Sequence, residues 1–564
     1  ATKTTSMVCG GVSRALSVTV ILSLMPLVRV RSIEKVSKPS FSTRSRCLPA
    51  VVRMGMLPTG TTNAPAAPNA TGLETDKMNR AAIESHYDSF IGKLVSRMPV
   101  NERRAFKYVV ADSYETGPQN WTDGFGEIFR DAYGYDPTPW LPVLTGRVVG
   151  SADRSERFLW DLRRLVADRV GIDYVGGLRD RCEADGLELW LENYGHWGFP
   201  GEFLQYGGNT HRMSGEFWTS GDLGTIELRA ASSAVHTYGR GQTYAEAFTS
   251  GDFFKWHPRN MKARGEWAWC DGINHFVLHV YIHQARPGMV PGINAWFGTE
   301  FNRNNTWFYP GKAWIDYLRR CHVMLQEGEH VADVLYYIGD DAPKMTGVRD
   351  PELPPGYDFD YINGEVIRER LGVKDGRFVL PGGKTYRILV LPQLETMRPE
   401  VLEKIVAMVE QGGAVLGPAP ERSPSMQGFP EADGRVRELA AKLWKAGEDW
   451  GRSGRFAGKG RVFEGENLQA ALLALKVLPD VDQVPAGTVR WTHRRSATSD
   501  VYFLTNQTGE TVDLEPVFGV MGKVPELWNP VTGERYATAL FRPAQEGTRV
   551  TIQLKSHDSV FVVF

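Results

Sequence analysis

The chain is poor in cysteine. Cys9, Cys47, Cys182, Cys270 and Cys321 are five of 564 residues and form no Cys-x-x-Cys pair. An odd, scattered set of this kind excludes a disulfide framework and a thiolate metal site. No GxGxxG or GxxxxGK turn occurs, which removes the phosphate cradles of dinucleotide and nucleoside-triphosphate sites. There is no surplus of positive charge, with Lys+Arg 65 against Asp+Glu 66, and no long run of one sign, so no nucleic-acid partner is expected. Long apolar runs are also missing. Ala15–Val28 behind Arg14 is too short to span a bilayer and suits a signal-peptide core. No membrane insertion is expected, and a periplasmic or extracellular location is.

What the chain does have is aromatic surface. Its 16 Trp and 20 Tyr offer flat faces with polar edges, which suit the C–H faces of sugar rings. A neutral carbohydrate is therefore the expected ligand. Trp121, Trp197, Trp218 and Trp307 are candidate platforms, with core packing an equal explanation for each.

Four segments are expected. Residues 1–69 have no core pattern and include the linker "TGTTNAPAAPNAT", so they read as leader and linker that pack against nothing. Residues 70–329 alternate strand-like and helix-like text. Strands are expected at Phe106–Ala111, Leu187–Glu192, Met213–Trp218, Thr243–Phe248 and Phe276–Ile282, and helices include "SERFLWDLRRLVADRV", "LGTIELRAASSAVHTYG" and "KAWIDYLRRCHVMLQEG". Such a βα series either opens as a doubly wound sheet or closes as a (β/α)8 barrel. The strand ends "YVVADSYE", "LWLENYGHWG", "SGEFWTSGD" and "YAEAFTSGD" all finish in acids, amides or aromatics, as a barrel mouth requires. Only about five strand–helix units are visible where a barrel has eight. The barrel is expected to be incomplete, and an open barrel should hydrolyse little by itself.

Residues 330–484 read as a flavodoxin-like α/β domain, because "YRILVLPQLETMRPEVLEKIVAMVEQGGAVLGPAPE" is strand, turn, helix and strand. Asp358, Asp360 and Asn363 in "PELPPGYDFDYIN" are expected in a polar loop. Residues 485–564 are short alternating strands, expected as a C-terminal β-sandwich.

Several blocks, in order, carry a family resemblance: "ADSYETGPQNWTDGF", "GYDPTPWLPVLTGRVV", "SERFLWDLRRLVAD", "SGEFW", "AASSAVHTYGRGQTYAEAFTS", "GINHFVLHVYIHQ" and "NRNNTWF". Together they resemble the catalytic region of glycoside hydrolase family 106, whose characterised members are α-L-rhamnosidases. The resemblance implies a (β/α)8 barrel, hydrolysis by single displacement with inversion, an acid–base pair of carboxylates, and calcium near the sugar hydroxyls. The first barrel strands and a tryptophan-rich segment usual in the family are not found here, which agrees with the strand count.

An inverting glycosidase needs an acid for the leaving oxygen and a base for water, ~6.5–9.5 Å apart. Glu115, Glu216 and Glu246 stand at three strand ends, flanked by Tyr114, Phe217, Trp218 and Phe248, which are expected to desolvate them. Taken singly, each is better explained as a loop or capping carboxylate. Their match to acidic positions of the family's active site reverses that preference. Glu115 is assigned as acid, Glu246 as base and Glu216 as the group orienting water, sugar or metal, with permutation open. Asp112, Asn120, Trp121, Glu192, Asn193, Trp218 and His279 are expected to bind substrate. Asp112, Glu192 and Asn193 also offer the hard oxygens calcium prefers, but no metal ligand is assigned. His279 and His283 are four apart in strand-like text, where period two sends them to one face without the HExxH helix of a zinc site. Two alternatives stay open: a retaining, β-galactosidase-like barrel enzyme, and a non-catalytic carbohydrate-binding remnant.

Overall fold

The computed structural model describes residues 71–195, 198–221, 228–444, 454–465 and 467–564. The expected leader and linker at 1–69, together with His196 and Trp197, lie outside the described residues.

Five strands, β1 (Tyr108–Ala111), β2 (Glu188–Glu192), β3 (Arg212–Trp218), β4 (Thr243–Thr249) and β5 (His275–Leu278), form one parallel sheet in the order β1-β2-β3-β4-β5. That sequential order decides the architecture. A doubly wound sheet reverses at a switch point, whereas a barrel winds one way. The sheet curls into a half-barrel, so that Val110, Trp190, Tyr244 and Val277 from four of its strands form one cluster on the concave side.

Period-two alternation sends the intervening residues outward. Val109, Ala111, Leu189 and Leu191 meet Phe158, Leu162 and Leu165 of the helix Ala152–Arg169, whose first turn is capped by Ser151. Phe217, Ala245, Ala247 and Phe276 meet the helices Pro258–Cys270 and Lys312–Gln326. One strand is shorter than predicted. β5 stops at Leu278 rather than Ile282, because Val280 leaves the sheet to pair with Thr299 (N to O, 2.8 Å). His283 is exposed while His279 is buried, so the two do not share a face as predicted.

The next parallel strands, in chain order Val334–Tyr337, Phe359–Ile362, Ile388–Val390, Ala414–Leu416 and Gly460–Phe463, lie side by side as 2-1-3-4-5, with Arg455–Ala457 antiparallel at one edge. This is the doubly wound order of flavodoxin. The remaining strands form antiparallel sheets, and Glu329–His330 joins the six-stranded one at its edge. Val501, Phe503 and Phe561 of that sheet lie in the same apolar cluster as Phe217, Trp269 and Phe276 of the half-barrel. A polar tie reinforces it: fully buried Glu266 accepts from Lys262 Nζ (2.5 Å), Tyr317 Oη (2.6 Å) and Thr505 Oγ1 (2.8 Å). Among the described residues no helix is long and apolar enough to cross a membrane.

The segment predicted as a polar loop is buried instead. Phe359–Ile362 is a strand, with Asp358 and Asp360 alternating against Phe359 and Tyr361, and the acids face the helix Arg229–Tyr238. Asp360 pairs with His236 Nδ1 (2.8 Å) and accepts from Tyr386 Oη (2.8 Å), while Asp358 pairs with Arg229 (3.2 Å). The His330 ring stacks on His236 at 4.5 Å. Asn363 caps the helix Gly364–Glu369 and donates to Glu202 (2.8 Å). The Pro, Gly and Asp punctuation read as a loop because Arg229 and His236, on the helix these acids face, are more than a hundred residues away in sequence.

Burial pushes His236 down to about 4, and it pushes His330 well below the usual histidine range. Asp360, despite its own burial, is held low by His236, Lys384 and Arg229. Unfolding returns His236 to about 6.5, where the unfolded chain binds the extra proton, so this stability is present above pH 6.5 and is lost as pH falls toward 4. Asp360 acts in the same direction at lower pH. His493, raised between Asp480 and Asp500, acts oppositely. Asp358 and Asp161, pushed up to about 6 by burial, and Asp333, pushed up to about 7, oppose it too, so what is assigned to His236 is its own share, a loss of ~2–3 kcal/mol between pH 6.5 and 4. Thermal denaturation of His236→Gln across this range should show a shallower fall; an unchanged slope would defeat the assignment.

Candidate active site

The concave face of the half-barrel turns acidic at the C-terminal ends of its strands. Glu216 on β3 and Glu246 on β4 are register partners, so their side chains leave the sheet side by side on one face. Glu192 closes β2, and Asp112 follows β1 by one residue. Carboxylate oxygens of Asp112, Glu192 and Glu246 lie within 4.8 Å of one another. Ser113 joins the fourth acid to them: its hydroxyl is 2.8 Å from Glu192 Oε1 and 3.4 Å from Glu216 Oε2. Glu192, Glu216 and Glu246 are buried. Four carboxylates gathered in this way repel one another and call for a positive partner.

A defect in β4 shapes the site. Strict alternation would point Phe248 inward beside Glu246. Phe217 pairs with Ala247 and Trp218 with Thr249, which leaves Phe248 as an extra, bulged residue with φ +67°. The bulge turns the Phe248 ring outward onto Phe217 (5.0 Å) and Phe276 (5.5 Å). It also turns Thr249 inward, where its hydroxyl donates to Glu246 Oε1 (2.7 Å) and lies 3.1 Å from His279 Nδ1. His279 Nδ1 is itself 3.3 Å from Glu246. A left-handed phenylalanine costs ~1–3 kcal/mol, and such strain concentrates where it re-aims a functional side chain.

The predicted residues separate into two groups. Asp112, Glu192, Glu216, Glu246, Trp218 and His279 come together, with Trp218 Nε1 donating to Glu216 Oε1 (2.7 Å). Glu115 lies three residues past Asp112, half-buried, on a turn fixed by Tyr114 N donating to Tyr194 O (2.9 Å). Asn193 points away: it follows Glu192 by one residue, donates from Nδ2 to Phe203 O (3.0 Å) and packs behind the sheet on Met213. Asn120 is exposed, and the Trp121 ring meets core Phe125 at 4.7 Å, tilted by 45°. Trp307 donates to Trp256 O (3.0 Å) and ties two loops together. Phe217 and Phe248, predicted to desolvate carboxylates, line the outer core instead, because alternation and the bulge turn them there. Ser113 and Thr249 escaped the sequence reading. Small hydroxyls carry little signal, although Ser113 sits between Asp112 and Tyr114 in a stretch that already stood out.

The donors fit a hard cation. Two oxygens on opposite sides of calcium at ~2.4 Å each stand up to ~4.8 Å apart, and carboxylates are its preferred ligands. Asp112, Glu192 and Glu246 meet both conditions. His236, His330 and Asp360 also bring donor atoms within 4.8 Å, but they fit poorly. Their imidazole planes are stacked within 13°, His236 is spent on Asp360, and Lys384 and Arg229 already supply positive charge.

The sequence model of glycoside hydrolase family 106, described as alpha-L-rhamnosidase, matches residues 48–541. A Formosa agariphila protein named "Putative beta-glucuronidase" is 34% identical over 519 residues, 91% of this chain and 43% of that protein. The solved rhamnosidase from Novosphingobium sp. PP1Y superposes with a TM-score of 0.83 at 33% identity, over 90% of this chain and 49% of that one. This chain thus spans about half the length of both. A beta-galactosidase from Bacillus circulans sp. alkalophilus shares the fold at 12% identity and a TM-score of 0.58, over 88% of this chain and 84% of that one.

Crowded carboxylates trade stability for chemistry. Glu192→Gln keeps an acceptor for Ser113 and removes one charge, so in metal-free buffer at pH 7 it should raise the unfolding midpoint by the equivalent of ~0.5–2 kcal/mol. A fall of that size would mean that the four acids are not in electrostatic conflict.

Proposed function

The chain belongs to glycoside hydrolase family 106, and from that premise we propose that it removes terminal α-L-rhamnosyl residues from plant or microbial glycans with inversion. The observation that supports this most is the gathering of Asp112, Glu192, Glu216 and Glu246 at the C-terminal ends of sequential parallel strands, where a barrel enzyme works. Four acids also make a poor pocket for an anionic sugar, which favours rhamnose over a uronate.

In this reading Glu115 protonates the glycosidic oxygen as the bond to the anomeric carbon breaks. Glu246 takes a proton from the water that attacks the opposite face. Glu246 has one oxygen held by Thr249, while its Oε2 takes no hydrogen bond among the described residues. Glu216 receives Trp218 Nε1 and has Ser113 Oγ at 3.4 Å, which suits orienting water or sugar better than abstracting a proton. His279 and Thr249 hold Glu246 in place. Asp112 and Glu192 would hold calcium, with one oxygen of Glu246 in reach; when bound, the ion supplies charge neutralisation and a fixed point for sugar hydroxyls. A retaining mechanism is the second reading, because the oxygens of Glu192 and Glu246 lie within 4.8 Å, near the ~5–5.5 Å of retaining pairs.

Two measurements test this. On an aryl α-L-rhamnoside, proton NMR should detect the β anomer of rhamnose first, and Glu115→Gln and Glu246→Gln should each lower kcat by ~10²–10⁴-fold; the α anomer first would favour the retaining reading. Chelation should lower activity and calcium should restore it, with the response lost in Asp112→Asn. Activity indifferent to both chelator and that substitution would remove calcium from the site.

A further inference from the structure

The loop that follows β5 holds an aromatic side chain in water and joins it through ring contacts to His279. Trp296 is 65% exposed, yet its neighbour Phe297 is buried. The two rings meet edge to face at 5.1 Å and 88°. Phe297 in turn lies parallel to the His279 imidazole, at 5.6 Å and 8°, and His279 Nδ1 stands 3.3 Å from Glu246. Trp296 is therefore two ring contacts from His279, which touches Glu246.

Its position is fixed by the backbone behind it. Gly298 has φ +89°, and a Cβ there would fall 2.7 Å from Val280 Cγ1 and 3.0 Å from His279 Nδ1, so no side chain fits. Gly298 N donates to Ser250 O (2.6 Å), Thr299 N to His279 O (3.0 Å) and Thr299 Oγ1 to Phe248 O (2.7 Å). Phe254 N on the loop after β4 donates to Glu300 Oε2 (3.0 Å). The residues flanking Trp296 are thus pinned to the ends of β4 and β5, while the indole itself is left in solvent. Leaving so large an apolar ring wet forgoes burial that a core position would supply. A rigid, exposed aromatic at the rim of a polar site is the arrangement that receives a flat apolar face from a ligand.

We propose that Trp296 is the platform on which the pyranose ring of the leaving group stacks, so that the loop after β5 selects which rhamnosides are cleaved. The proposal rests on the reading of this site as a rhamnosidase. A pyranose presents a C–H face to the indole and keeps its hydroxyls in water, which suits a half-wet position better than a wholly apolar group does.

The test compares Trp296→Ala and Trp296→Phe on rutinose, whose leaving group is glucose, on p-nitrophenyl α-L-rhamnoside and on methyl α-L-rhamnoside, which has no leaving ring. In Trp296→Ala, kcat/KM on rutinose should fall about tenfold, consistent with the loss of a stacked ring. It should be largely restored in Trp296→Phe and unchanged on methyl α-L-rhamnoside. No loss, an equal loss on all three substrates, or a loss confined to the p-nitrophenyl glycoside would overturn the pyranose platform. If the protein cleaves none of them, the rhamnosidase reading fails and a second measurement decides the platform alone. In protein labelled with 5-fluorotryptophan, the fluorine signal that is missing from Trp296→Phe should shift on titration with methyl β-D-glucoside, and an unmoved signal would overturn the proposal.

Discussion

The single extra residue in β4 is the constraint on which the site depends. With regular alternation, Phe248 would occupy the space beside Glu246, and Thr249 would point into the hydrophobic layer behind the sheet. Bulging out Phe248 exchanges the two. The phenyl ring completes an edge-to-face group with Phe217 and Phe276, and the hydroxyl reaches Glu246. Core packing and carboxylate orientation are thus set by one backbone torsion, and neither can be altered without the other. The strain is repaid by burial of the ring, since Phe248 is fully buried.

The acids are held apart from the machinery that stabilises the chain. Stability resides in apolar clusters behind the sheets and in buried polar pairs where segments meet, such as the Arg229–Asp358 ion pair and the His236–Asp360 hydrogen bond. Each sets a donor against an acceptor. The mouth of the half-barrel instead gathers charge of one sign, with the hydroxyls of Ser113 and Thr249, the Trp218 indole and the His279 imidazole set among the acids. Buried charge thus has two settings in this protein: matched across segments where it joins them, and crowded with its own sign at the ends of β1 to β4.

Much of this arrangement is legible in the sequence, because it follows from short-range rules. The five strands, their polar ends and the helices between them come from period-two and period-3.6 patterns, which survive without tertiary context. Glu192, Glu216 and Glu246 could be picked out because each follows an apolar strand. Asn193 was misplaced by the same rule: the pattern shows where a strand ends but not which side of its last residues faces the ligand. The Phe248 bulge is invisible because nothing local demands it; it arises from what packs on each side of β4. Asp358 and Asp360 looked like loop residues because Arg229 and His236, which justify burying them, lie far away in the chain.

The C-terminal sheet sets an order of events during synthesis. Ser559–Val563 is an interior strand paired on both sides, and Phe561 lies in the same apolar cluster as Phe217, Trp269 and Phe276 behind β3 to β5. The wall that carries Glu216 and Glu246 is thus laid down early, but its back is sealed only when some three hundred further residues have left the ribosome. Until then the Phe217–Phe248–Phe276 group has one bare side, the state in which chaperones engage nascent chains. A ribosome that stalls late would release a chain with its acid-bearing strands made and their hydrophobic backing open to water.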